Sequence, residues 1–154
     1  MGNVSEMSDS QRFPVAAHAL AYMAHAGARA PCSAVSSAEL AASMPTNPVV
    51  VRRVTAMLAK AGLIAARSGS TGGSWLLRAP ETITLDQVLR AVGGCANFGS
   101  PPPGVKGCPV GERIPDAVRG AIAAADKAAG ERLSRITVAD LLADAAAQTE
   151  LKAG

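Results

Sequence analysis

The first feature along the chain is the spacing of its apolar residues. Phe13, Ala16, Ala17, Leu20, Met23 and Ala24 recur at three- and four-residue steps, which predicts a helix over Phe13–Ala26. Pro14 fits its first position, where the missing N–H costs nothing, and Gly27 is placed to end it. The opposite side is weakly polar, so this helix is expected to be buried on two sides. After a loop over 28–35, Ser36 and Glu39 form the pattern of a capping box and open a short helix over 37–43. Met44-Pro45-Thr46 reads as a turn. Asn47 is the N-cap candidate, and Pro48 the first residue, of a helix running to Ala61.

That helix divides cleanly. Val51, Val54, Leu58 and Ala61 share one face, whereas Val49, Arg52, Arg53, Ala56 and Lys60 share the other at i, i+3, i+4, i+7 and i+11. Gly62 ends it. Leu63–Arg67 reads as a strand, 68–74 as a glycine-rich turn, and Trp75–Arg78 as the returning strand. Thr84 and Gln87 form a second capping box, and Gly93-Gly94 closes the helix it opens. A loop with a Pro-Pro-Pro run joins Cys95 to Cys108.

A long helical stretch follows, roughly 109–136, with Pro115 placing its regular part from about Ile114 onward. Ile114, Val118, Ile122, Ala125, Ala129, Leu133 and Ile136 make one apolar stripe. A helix of about 25 residues is about 37 Å long, too long for a small core to cover. Its simplest partner is the same helix of a second subunit. Thr137 caps a last helix carrying Val138, Leu141 and Leu142.

The elements sum to a mostly α fold with a small β-hairpin: a winged helix-turn-helix domain plus a long C-terminal dimerisation helix. The expected division is a disordered N-terminus over 1–10, the winged domain over 11–93, a cysteine/proline loop over 94–111, dimerisation helices over 112–147 and a frayed tail over 148–154. The chain of 154 residues suits one domain with an appendage. Aromatics are 3% of residues, so the core is built from Ala, Val, Leu, Ile and Met. No apolar run reaches membrane-spanning length, and the polar N-terminus does not read as a signal peptide. Three widely spaced cysteines do not make a disulfide framework, so the expected compartment is a reducing cytoplasm.

Charge changes the picture more than composition does. The net charge of +3 is modest. Between Leu40 and Pro80, however, there is no acidic residue, while Arg52, Arg53, Lys60, Arg67 and Arg78 all fall there. Segregated positive charge on a helix-turn-helix and hairpin points to a polyanion, and double-stranded DNA fits best. A recognition helix needs small or polar residues at its N-terminal end and cations for phosphates. Thr46, Asn47, Val49, Arg52 and Arg53 meet that need, with Lys60 a weaker phosphate contact. A hairpin tip built on Gly72 and Gly73 can enter a minor groove with Arg67 and Arg78 beside it. The competing view is a solvated basic face on a winged module that binds an acidic protein instead.

The order of Arg12-Phe13, Ser36-Ser37-Ala38-Glu39-Leu40-Ala41, Gly62-Leu63-Ile64, Gly72-Gly73-Ser74-Trp75-Leu76-Leu77, Ile83-Thr84-Leu85 and the segment from Leu133 to Leu142 resembles the IscR/NsrR/CymR superfamily. These are the Rrf-two family of bacterial winged-helix regulators, and the resemblance runs from Arg12 to Ala143. It implies a homodimer joined through the long helix on a palindromic operator, with helix 48–61 in the major groove and the hairpin in the minor. Cluster-binding members carry three closely spaced cysteines before the long helix. Here that loop holds Cys95 and Cys108, so no iron–sulfur cofactor is expected. Cys-Pro-Val-Gly before the long helix is more like the cluster-free, YwnA-like branch.

Cys108 precedes Pro109 at an expected helix N-terminus, a place that favours anions, so it is a redox candidate, as are Cys95 and Cys32. The bland alternative is small apolar packing. His18 and His25 share a helix face but lack a third ligand, so no metal site is assigned. The run from Gly69 to Ser74 lacks the Gly-Lys-Ser/Thr ending of a phosphate loop. No Cys-x-x-Cys is present, and the chain is not read as an enzyme. Nothing in the sequence specifies an effector.

Overall fold

The computed structural model of the chain describes residues 9–94 and 99–153. Residues 1–8, which make up most of the N-terminus expected to be disordered, lie outside that range, as do Cys95 and Gly154. Within it are six α-helices and one antiparallel hairpin: α1 Asp9–His25, α2 Ser37–Ser43, α3 Pro48–Lys60, β1 Ile64–Arg67, β2 Gly73–Leu76, α4 Leu85–Ala91, α5 Pro109–Leu133 and α6 Val138–Ala153.

Helix α1 begins four residues before the expected Phe13, and Pro14 lies inside it. A proline so near the N-terminus removes one helical hydrogen bond. Burial offsets that loss: Ala16, Ala19, Leu20 and Met23 are completely enclosed at the centre of the core. The expected caps form. The Ser36 Oγ accepts the Glu39 amide at 3.2 Å while the Glu39 carboxylate accepts the Ser36 amide at 2.8 Å. The Asn47 Oδ1 accepts the Val49 amide at 2.8 Å. Each bond satisfies an amide that the first helical turn leaves without a partner. At the other end of α3, Gly62 takes φ +74°. The Leu63 amide can then reach back to the Leu58 carbonyl at 3.1 Å and turn the chain into β1.

The hairpin pairs Ile64 with Leu76 and Arg67 with Gly73, leaving 68–72 as its turn. The returning strand thus sits two residues earlier than Trp75–Arg78. The cause is a third extended segment that local pattern did not show. Val35 and Ser74 exchange both backbone hydrogen bonds, at 2.9 and 2.8 Å. That contact fixes β2 around Ser74 and ties the hairpin to the entry of α2. It also requires a glycine at position 73, where a Cβ would lie 2.8 Å from the Val35 carbonyl oxygen.

Helix α5 starts at Pro109 and passes through Pro115, although the sequence placed its regular part from Ile114 onward. A proline deprives the carbonyl four residues earlier of its amide partner. That carbonyl belongs to Gly111, and it accepts the Val105 amide instead, at 3.3 Å. Gly104 permits this fold-back, since a Cβ there would lie 2.9 Å from the same oxygen. The helix ends at Leu133, so Ile136 leaves the stripe. The Ile136 carbonyl accepts the Leu85 amide at 2.8 Å and joins the turn after α5 to α4. Helix α6 opens with a Thr137–Asp140 box and continues to Ala153 instead of fraying from Gln148. Its first turn is anchored by buried Val138.

One core joins α1, α3, the hairpin and α4, built from Leu20, Met23, Leu40, Val51, Val54, Leu58, Ile64, Ile83 and Val88. Helix α5 buries none of its residues.

Candidate nucleic-acid interface

The two faces of α3 are as unlike as the sequence implies. Val51, Val54 and Leu58 are fully buried, which fixes the rotation of the helix. Arg52, Arg53, Ala56 and Lys60 are therefore exposed, and Val49 is 57% exposed. Asn47, also exposed, uses its side-chain oxygen as the N-cap of α3. Thr46 is half-buried and faces a cleft of about 300 Å³ beside Gln11, Pro14 and Val15 of α1.

Between α3, the start of α2 and the hairpin lies an open groove of about 610 Å³. Arg52 lines it from the helix and Arg67 from the end of β1. Ser36, Thr55, Ser68 and Ser70 add hydroxyl groups, and Gly69, Gly72 and Gly73 add uncovered backbone. No carboxylate is among the lining residues. The Ser36 hydroxyl already donates to the Glu39 carboxylate at 2.6 Å and that of Thr55 to the Arg52 carbonyl at 3.1 Å, so the hydroxyls that face an incoming anion are those of the hairpin turn. Two cations held in one concave surface suit an extended anion. The Arg67 guanidinium also donates to the Thr71 carbonyl at 3.1 Å, so it braces the turn that it borders. Gly72 closes that turn, and its Cβ would fall 2.3 Å from the Arg67 carbonyl oxygen.

Not every expected contact lies in the groove. Arg53 and Lys60 stand on the exposed face of α3 without lining it. Arg78, beyond the end of β2, donates to the Thr82 carbonyl at 2.6 Å and to the Gln87 Oε1 at 3.4 Å. It secures the exit of the hairpin to α4. Ser36, Ser37 and Thr55 were not among the expected contacts. The sequence marked Ser36 as a cap, but its place opposite Arg67 depends on the Val35–Ser74 pairing.

Capping also sets the charge of nearby carboxylates. Hydrogen bonds from the Ser36 side chain and backbone hold Glu39 below its ordinary pKa. Bonds from the Thr137 backbone and side chain do the same for Asp140. On α4, the Asp86 carboxylate accepts from the Arg90 guanidinium at 2.7 Å and raises the pKa of that arginine.

Of the cysteines, Cys32 is exposed on the turn Pro31–Ser33 and Cys108 is exposed at the N-cap of α5. The Cys108 Sγ accepts the Gly111 amide at 3.3 Å. His18 Nε2 lies 3.0 Å from the Ser43 Oγ and links α1 to α2, while His25 is exposed at the end of α1. Among the described residues, no three His, Cys, Asp or Glu side chains gather as a metal site. No helix among them is long and apolar enough to cross a membrane.

A helix-turn-helix with a cationic outer face and an adjoining hairpin defines a winged-helix DNA-binding fold. The Rrf2 profile, described as iron-dependent transcriptional regulator, matches residues 9–144, and the chain belongs to that family. A curated relative, YwnA of Bacillus subtilis (strain 168), named as a candidate HTH-type transcriptional regulator, is 35% identical over 111 residues. The match covers 70% of this chain and 80% of that protein. The crystal structure of a candidate transcriptional regulator from Lactobacillus plantarum is 27% identical and superposes with a TM-score of 0.71, covering 93% of this chain and 98% of the other. The structure of T. potens IscR shares the fold at 24% identity and a TM-score of 0.59, covering 93% and 89% of the two chains. The protein is a transcriptional regulator by family and not an enzyme. As for the iron in the family description, Cys95 of the loop before α5 lies outside the described residues, and no metal-binding group gathers among those described. Cys32 and Cys108 stand on separate elements with no third described donor gathered beside them.

Proposed function

We propose that the protein is a homodimeric repressor that binds a palindromic DNA operator. The observation that carries this reading is the groove that gathers Arg52 and Arg67 between α3 and the hairpin, with hydroxyls and glycines but no carboxylate in its lining. In this reading α3 enters the major groove, with Thr46, Asn47, Val49, Arg52 and Arg53 near base edges and Lys60 toward a phosphate. The hairpin turn with Gly72 and Gly73 follows the backbone into the minor groove. Arg67 contacts DNA there, and Arg78 supports the hairpin from behind. Dimerisation through α5 is supported by Val110, Ile114 and Val118, which are 66%, 52% and 40% exposed on one chain. Repression by occupying the operator is the simplest output of such a dimer.

The test is duplex binding to the protein's own promoter region across salt concentrations. Arg52→Ala or Arg53→Ala should each lose about 1–3 kcal/mol of operator binding. Wild-type affinity in both variants would overturn the assignment. Failure of the wild type to shift any duplex would favour a winged module that meets an acidic protein.

Regulation through Cys108 belongs to the same reading. Its exposed sulfur caps the helix proposed to join the subunits, so a change at that atom would be felt at the dimer. Attack of the thiolate on a peroxide gives a sulfenic acid and releases water or an alcohol. Mild peroxide should weaken operator binding by the wild type but not by Cys108→Ser. Equal binding by oxidised and reduced wild type would remove the switch.

A further inference from the structure

We propose that Val49 reads the 5-methyl group of a thymine in the operator. This rests on the DNA-binding reading of α3 and names the base chemistry at its centre. Val49 is the second residue of α3, where the helix would meet base edges first. It is 57% exposed, whereas Val51 and Val54 of the same helix are fully buried. By helical spacing it sits between the directions of Arg52, which lines the groove beside the hairpin, and Arg53, which does not. The exposed face is thus an apolar ridge of Val49 and Ala56, seven residues apart, with one arginine on each side.

The occupant follows from charge and shape together. Flanking guanidiniums repel a basic partner and bring a polyanion to this face. In the major groove of duplex DNA, the thymine 5-methyl is the apolar group that projects from a base edge, and small apolar side chains contact it. The Val49 amide is already bonded to the Asn47 Oδ1, so the backbone of this first turn is held in place. Ala56 adds no bulk one repeat further on, which lets the helix approach closely.

The experiment starts from operators selected out of a random-sequence duplex pool by the full-length protein. Each thymine of the selected consensus is then replaced singly by deoxyuridine, which removes the methyl group alone. At one thymine of each half-site, wild-type binding should weaken about fourfold per methyl, the equivalent of about 0.8 kcal/mol. Val49→Ala should bind the thymine and deoxyuridine forms of that position equally, with the circular dichroism of the wild type. If wild-type affinity is unchanged at every replaced thymine, or if V49A keeps the full penalty, the methyl contact is wrong and operator binding stands. If the wild type selects no duplex at all, the DNA-binding reading fails and this one with it.

Discussion

The winged domain encloses Leu20, Met23, Val51, Val54 and Leu58 completely, while α5, the longest helix among the described residues, encloses none of its residues. Both regions carry regular apolar stripes, and both stripes form helices. They differ in what lies opposite. The α3 stripe faces α1 and the hairpin within the same chain, whereas Val110, Ile114 and Val118 face outward. Periodicity therefore specifies a helix and its apolar side but not the surface that covers it. In the winged domain the cover is intramolecular, and the cationic face of α3 is left over for a ligand. In α5 the apolar face itself is left over, which is why a second copy of the chain is proposed there.

The contrast is open to direct attack. Leu58→Ala removes a fully buried side chain and should destabilise the winged domain by about 2–5 kcal/mol. That loss should be independent of protein concentration, as read by thermal or denaturant melting. Val118→Asp is its counterpart on α5. In dilute solution it should alter stability by no more than about 0.5 kcal/mol, as an exposed substitution. At higher concentration it should leave the protein sedimenting as a monomer where the wild type is a dimer. A wild type that remains monomeric at all concentrations would break the comparison, because the α5 stripe would then need another cover.

A smaller effect concerns the caps that set where the helices of the winged domain begin. The Glu39 carboxylate is held below its ordinary pKa by its bonds to Ser36, chiefly from the side chain. A depressed folded-state pKa means that its contribution is fully present above the unfolded value and is lost as pH falls through the folded one. Glu39→Gln can keep the reciprocal cap but cannot titrate. Its melting temperature should therefore fall less steeply on acidification than that of the wild type. Parallel acid profiles would show that the charge of Glu39 contributes nothing measurable. The same box on the first turn of α6 makes Asp140 the matching control outside the winged domain.

Much of the fold was legible because its signals are local. Ser36 with Glu39, Asn47 before Pro48, and Thr84 with Gln87 each satisfy amides within three residues, so these helix starts fall where the sequence puts them. Boundaries decided by distant partners were not legible. Gly111 can support Pro115 because Val105 folds back to its carbonyl. The hairpin register depends on Val35, far from it in sequence. The exposure of Arg52, Arg53 and Val49 follows from the rotation of α3, which the buried valines dictate. The different settings of Arg67 and Arg78 did not follow. Arg67 borders the turn and lines the groove, whereas Arg78 lies at the other end of the hairpin, past Leu76, and is bonded to Thr82 and Gln87.

The sequence by itself determined the helices, their apolar sides and the stretch without acidic residues. Spacing and capping act over three or four residues, and charge is counted along the chain. Only the tertiary structure decided that Arg52, Arg67 and Ser36 share one groove. That meeting depends on the Val35–Ser74 hydrogen bonds folding the hairpin back against the start of α2, across a separation that no local pattern spans.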